Sequence, residues 1–362
     1  MSYEVDVLAV GDNSKSGDAI ALRYGDFSHR SLHKVVVIDG GFKENGEELV
    51  KLIQETYGTT FVDLVISTHP DADHIAGLSV VLEELAVGAL WMHQPWNHGK
   101  AVADLRQGRF SKQQFYEQLQ KSIASASDLE DIAGRKGIQI VEPFLGLQSA
   151  DKSLHVLGPT TQYYEELVAG FEDPSKDQSL AFADAFKSLL KGAVEKLQDL
   201  WTREALQEPE EGATRPQNNS SVILVAILDS DSAFLFTGDA GAPALDRAVT
   251  PELAASLRPC LRYFQLPHHG SKRNIGPSGL DRILGPRLPK GSPAGKLTAF
   301  ISAAKDGEPK HPSKRVVNAA IRRGAKVVAT QGSNHCYRST DLPMRPGYVS
   351  IQPLEFTENY ED

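Results

Sequence analysis

A chain of 362 residues with 41% apolar and 23% charged content is long enough to bury a core, and its composition suggests neither disorder nor a membrane class. The net charge of −9 argues against a broad nucleic-acid-binding surface, while leaving room for a local basic patch beside a site. Cys260 and Cys336 are its two cysteines, which excludes a disulfide framework. The N-terminus does not read as a signal, and no apolar run approaches the roughly 18 residues of a membrane span. The expected location is therefore cytoplasmic.

Residues 3–10 read as a first strand, and a polar loop at 11–17 leads to a second at 18–22. A third strand at 34–38 ends in Asp39-Gly40-Gly41. Residues 44–57 have helical spacing through Leu49, Leu52 and Ile53 and deliver the chain to an apolar strand at 62–66. His69, Asp71, Asp73 and His74 then fall within six positions, with Pro70 delaying a helix to about Asp73. One Asp would serve as an N-cap; two Asp and two His exceed that need and point to metal coordination.

A short strand is expected at 89–92, an amphipathic stretch at 101–133, strands at 138–144 and 153–157, and a long amphipathic helix or helix pair at 178–206. Residues 97–216 read as a mainly helical insertion or cap within a single domain spanning 1–362. Strands at 221–228 and 233–236 run into Thr237-Gly238-Asp239, a helix is expected at 242–257, and a strand at 263–266 ends in Pro267-His268-His269-Gly270-Ser271. A strand at 297–302, a helix at 313–323 and a strand at 326–330 follow. Strand ends thus deliver Asp39, the 69–74 cluster, Asp239 and His268-His269, as in α/β enzymes, whose strand-end loops are free to hold chemistry.

With GDAI at 17–20, IDGG at 38–41, FLFTGDAG at 234–241 and LPHHGS at 266–271, the sequence resembles the metallo-β-lactamase superfamily of metallohydrolases. It is most similar to the soluble hydrolase domain of competence DNA-internalisation proteins and their stand-alone relatives. The resemblance implies an α/β fold, a four-layer αββα sandwich with a helical insertion. It also implies a two-metal site in which His69 and Asp71 serve the first metal and Asp73 and His74 the second. Asp239 then bridges the ions, His268 is the last ligand of the second metal, and Asp39 steadies the ligand loop without binding metal. The pattern departs from the family's HxHxDH: Asp71 replaces a His, which makes Mn²⁺ or Fe more plausible beside Zn²⁺. A further family His before Asp239 has no counterpart, so the first metal is expected either to be weak or to be completed by Asn219, water or substrate.

Two divalent ions would lower the pKa of a bridging water towards 7 and clamp the attacking and leaving oxygens. Asp73 would ligate and orient that water, and His311 could act as leaving-group acid or substrate contact. His269, Ser271, Lys272 and Asn219 are candidate substrate contacts, with the Gly270-Ser271 backbone and Arg273 able to hold a phosphate. His335 and Arg338 read as structural, as do His93 and His98 with Trp91 and Trp96. The expected reaction is metal-dependent hydrolysis of a phosphodiester, on a small phosphoester, nucleotide or nucleic acid. Hydrolysis of an ester, thioester or lactone, and a non-catalytic metal-binding module, are the alternatives. No membrane partner is expected, and a homodimer is allowed.

Overall fold

Strand His33–Gly40 sets the pattern of the molecule. Val35 and Val37 point into one apolar cluster and Val36 and Ile38 into another, so a run of branched residues is buried on both faces. The computed structural model describes residues 1–11, 15–99, 124–171, 196–305, 311–346 and 348–361.

Among the described residues, this strand belongs to a seven-stranded sheet in the order His335–Arg338, Ser2–Val7, Ala19–Gly25, His33–Gly40, Leu64–Ile66, Ala89–Trp91, Gln139–Val141. Pairing is antiparallel up to His33–Gly40 and parallel beyond it. A six-stranded sheet runs Lys326–Ala329, Thr298–Ile301, Leu261–Gln265, Ser232–Phe236, Ile223–Asp229, Leu154–Gly158, parallel in its first four strands and antiparallel in the rest.

The sheets pack face to face over Ile20, Leu22, Ile38 and Ile66 from one and Leu224, Phe234, Phe236 and Tyr263 from the other. Helices Lys43–Lys51, Ala72–Glu84 and Ala124–Lys136 cover the outside of the first sheet. Helices Ala242–Ala248, Pro251–Leu257, Pro277–Leu284 and Lys314–Arg322 cover the second. Helix, sheet, sheet, helix is the expected αββα order.

Helix Ala72–Glu84 docks closely on the end of strand His33–Gly40. A Cβ at Gly77 would lie 2.0 Å from the Gly40 carbonyl oxygen and 2.5 Å from that of Phe42, so a side chain there would force the helix outward. That approach brings Asp73 and His74 to the strand end carrying Asp39.

Several expectations change in detail. The helix at 242–257 is two helices, broken before Pro251, whose ring suits a helix start rather than an interior. Residues 196–206 are not the end of a long helix: Lys196–Gln198 pairs antiparallel with Asn359–Glu361, and Asp199 is buried against Arg322 and Asn318. Residues 172–195 and 101–123 lie outside the described residues. Within the 97–216 stretch, Gln139–Val141 and Leu154–Gly158 each extend one of the two sheets. Helices Thr161–Val168 and Pro277–Leu284 and strand His335–Arg338 were not anticipated.

Candidate metal centre

The loops that follow strands His33–Gly40, Leu64–Ile66, Ser232–Phe236 and Leu261–Gln265 meet at one edge of the sandwich. Asp39 is the anchor. Its backbone is left-handed, φ 55°, a conformation most residues avoid and functional sites retain. One carboxylate oxygen accepts the Thr68 amide at 2.8 Å; the other accepts the Thr68 hydroxyl at 2.6 Å and His74 Nδ1–H at 2.8 Å. His69 Nδ1 in turn lies 3.1 Å from the Thr68 oxygen. With their Nδ1 atoms so engaged, both imidazoles turn Nε2 inward, their rings 4.2 Å apart.

Opposite them, Asp239 is fixed by its own main chain. Its amide donates to the Ser221 hydroxyl at 3.1 Å and its carbonyl accepts the Asn274 amide at 2.8 Å. Its carboxylate lies 3.4 Å from His74 Nε2, 3.8 Å from His69 Nε2, 3.6 Å from His268 Nδ1 and 4.0 Å from His269 Nε2. Burial would raise its pKa, but the surrounding imidazoles, His268 and His74 foremost, hold it well below the usual carboxylate range. Burial pulls His74 down, yet Asp239 and Asp39 raise it well above an ordinary histidine.

His268 and His269 both have left-handed backbones, φ 47° and 56°. His269 is buried, and its Nδ1 donates to the Ser302 carbonyl at 2.8 Å, leaving Nε2 towards Asp239. At His268, the Asn218 amide donates to Nδ1 at 2.7 Å; burial, against the Asp239 charge, brings this imidazole to about 4. Among the described residues, donor atoms within 4.8 Å of one another group Asp73 with His74 and His269, Asp239 with His268 and His269, Asp18 with His74 and Asp239, and Asp39 with His69 and His74.

His69 Nε2, His74 Nε2 and Asp239 Oδ1 are buried with no hydrogen-bond partner. Unsatisfied buried polar atoms are costly, and three converging on one point fit a divalent cation.

Asp71 differs from its neighbours. It caps helix Ala72–Glu84 by position, and its Oδ2, 3.8 Å from His69 Nε2, accepts from the Arg215 guanidinium. Burial is outweighed there by the hydrogen bond and charge of His69 and by Arg215, so the carboxyl is held well below its usual range.

The structure thus brings together Asp39, His69, Asp71, Asp73, His74, Asp239, His268 and His269. His311 stands nearby, its ring 6.1 Å from those of both His268 and His269, with Nδ1 buried and unpartnered. Ser271 is buried in the same turn and accepts the Arg273 amide at 3.2 Å; Lys272 is half-buried beside it. Asn219 does not face the centre. Its amide accepts from the Gly241 N–H and donates to the Thr214 carbonyl, each at 3.2 Å. His335 lies 3.4 Å from the Thr330 carbonyl, His93 stacks on Tyr164, and His98 joins Glu142 and Glu165.

Three contributors were missed. Asp18, in the GDAI segment, is set beside Asp39 by the pairing of Ala19 with Gly40, and accepts from Gln265 of the other sheet at 2.8 Å; burial pushes it up to about 6. Its motif was visible, its role was not. Arg215 precedes the short helix Pro216–Asn219 and Asn218 lies within it, and neither carries a local signal.

Residues 33–147 match the family model of the metallo-beta-lactamase superfamily. Among solved structures, a Thermotoga maritima protein provisionally described as a metallo-beta-lactamase is similar with 11% identity and a TM-score of 0.32, over 66% of this chain and 79% of that one. No curated protein matches.

Proposed function

We propose that this chain, whose residues 33–147 match the metallo-beta-lactamase superfamily model, belongs to that superfamily and is a metal-dependent hydrolase acting on a phosphodiester of a nucleotide or nucleic acid. The observation that carries the hydrolase reading is the convergence of His69 Nε2, His74 Nε2 and Asp239 Oδ1, buried and without partners. Asp73, His74, Asp239 and His269 would hold a divalent cation, with His69 and His268 adjoining. Imidazole and carboxylate donors mixed in this way suit Zn²⁺ or Mn²⁺, and Fe less distinctively. When bound, such a cation supplies a Lewis acid and a water of lowered pKa.

The chain's own groups supply the rest. Asp73 stands at the N-terminus of helix Ala72–Glu84 within reach of His74 and His269, where its carboxylate accepts a hydrogen bond from the attacking water and orients it. His311 is pushed down to about 3 by burial and by the neighbouring histidines. It is therefore neutral, and serves the leaving oxygen as an N–H hydrogen-bond donor rather than as a charged acid. The turn at Gly270-Ser271, flanked by Lys272 and Arg273, offers cationic and hydroxyl donors to phosphate oxygens. Those two cations beside the ligand turn favour a phosphodiester over an uncharged ester.

Turnover of bis-p-nitrophenyl phosphate by the full chain with added Mn²⁺ or Zn²⁺ tests the reading. Silence with every metal, while thioesters or lactones are hydrolysed, would sink the phosphodiester assignment and leave the metallohydrolase one standing.

A further inference from the structure

We infer that this centre is built for a single divalent cation, and that the Arg215 guanidinium stands where the ligand pattern anticipates the other. The inference rests on the metallohydrolase reading and concerns how many ions serve it.

The two halves of the centre are unequally furnished. On the Asp73 side, Asp73, His74 and His269 form one compact donor group, and Asp239 joins His268 and His269 in another. His74 and His269 have their Nδ1 atoms tied to Asp39 and to the Ser302 carbonyl, so that Nε2 is the atom each turns towards the centre. On the Asp71 side, His69 Nε2 has Asp71 and Asp239 each at 3.8 Å. Among the described residues, Asp71 belongs to none of the compact donor groups.

What Asp71 has instead is a cation of its own. Arg215 donates to Asp71 Oδ2 and, at 3.2 Å, to Asn218 Oδ1. The Asn218 NH₂ is directed at His268 Nδ1, 2.7 Å away, and lies 3.5 Å from Asp239 Oδ2. Asn219, the other candidate for a third ligand, spends its amide on Gly241 and Thr214. Asp71 Oδ2 and the amide oxygens of Asn218 and Asn219 are therefore engaged.

A guanidinium cannot shed its charge in a protein. An ion entering beside Asp71 would have to expel it or face it at close range, whereas an ion on the Asp73 side meets carboxylates and imidazole Nε2 atoms with no guanidinium among them. Arg215 thereby assumes one task of a first metal: it neutralises and orients Asp71.

The test is metal stoichiometry in the 362-residue chain. Metal-free protein equilibrated with excess Mn²⁺ or Zn²⁺ and desalted is expected to retain one ion per chain by elemental analysis. Bound Mn²⁺ should give the six-line resonance of an isolated ion. Asp71→Asn should leave the stoichiometry at one and the dissociation constant within about threefold, whereas Asp73→Asn should weaken binding tenfold or more. Two tightly held ions, or an exchange-coupled Mn²⁺ pair, overturn the single-ion inference and leave the hydrolase reading intact. A chain that binds no ion overturns the hydrolase reading, and this inference with it.

Discussion

Asp39 Oδ2 lies 2.8 Å from His74 Nδ1, and the same oxygen takes the Thr68 hydroxyl that neighbours His69. One carboxylate thus sets the orientation of two imidazoles. Asp39→Asn replaces an acceptor of three hydrogen bonds by an amide that can satisfy only part of them. Ion binding should weaken by about 10–100-fold, the range for partners of metal-ligating histidines. Competition with a chromophoric chelator measures this; an unchanged affinity would remove Asp39 from its anchoring role.

Loading the centre should release protons. His74 is raised well above the ordinary histidine value, so at neutral pH the metal-free imidazole is charged and must lose a proton to ligate. Affinity should therefore fall as pH falls. Calorimetric titration in two buffers of different ionisation enthalpy reports the number released, and a heat independent of buffer contradicts the expectation.

His93 predicts a separate pH dependence, of stability. Burial, then the neighbouring His98, pushes it down to about 3, whereas in the unfolded chain it titrates near 6.5. Between those values the unfolded chain binds a proton that the folded one refuses. This contribution is complete above about pH 6.5 and is lost as pH falls, by at most about 1.4 kcal/mol per pH unit. His98 runs the other way: burial lowers it, but Glu142 and Glu165 raise it overall, so its contribution is present below 6.5 and is lost as pH rises through its folded value. The urea midpoint of His93→Phe should fall less than that of the unaltered chain between pH 7 and pH 5.

Arg322 and Asp199 form an ion pair with both side chains fully buried, holding the segment after Lys196–Gln198 against helix Lys314–Arg322. Removing one partner of such a pair leaves a buried charge uncompensated and typically costs about 3–5 kcal/mol. Asp199→Ala should lower the denaturant midpoint accordingly. A loss below about 1 kcal/mol would mean that water or the neighbouring backbone carbonyls satisfy the guanidinium.

The sandwich was legible because its strands are branched, apolar and short, and because ligands cluster after them; Val35 to Ile38 could hardly be anything but a strand buried on both faces. The 69–74 loop was legible for the same reason, as ligand density in a short span. What the sequence hid was direction. Asn218 and Asn219 are adjacent, yet the pitch of a four-residue helix sends one amide to the centre and the other to backbone. Neither hydropathy nor spacing distinguishes His268 from His269, since the backbone of a tight left-handed turn decides it. Arg215 meets Asp71 across 144 positions, and no local pattern announces such a partner. Residues 196–206 looked helical because amphipathic spacing registers apolar residues and ignores a buried Asp199.

The bond from Gln265 to Asp18 crosses from one sheet to the other, and the Ser302 hydroxyl makes a second crossing to the Gly17 carbonyl at 2.5 Å. At this edge the two sheets are therefore joined by polar stitches, while their interior contact is apolar. Asp73 and His74 lie on one side of that seam, Asp239 and His269 on the other. A cation held among them acts as a rivet, closing the edge that hydrophobic packing leaves open. Its occupancy would then be read in the melting temperature of the whole sandwich, rising with free metal ion as linkage requires.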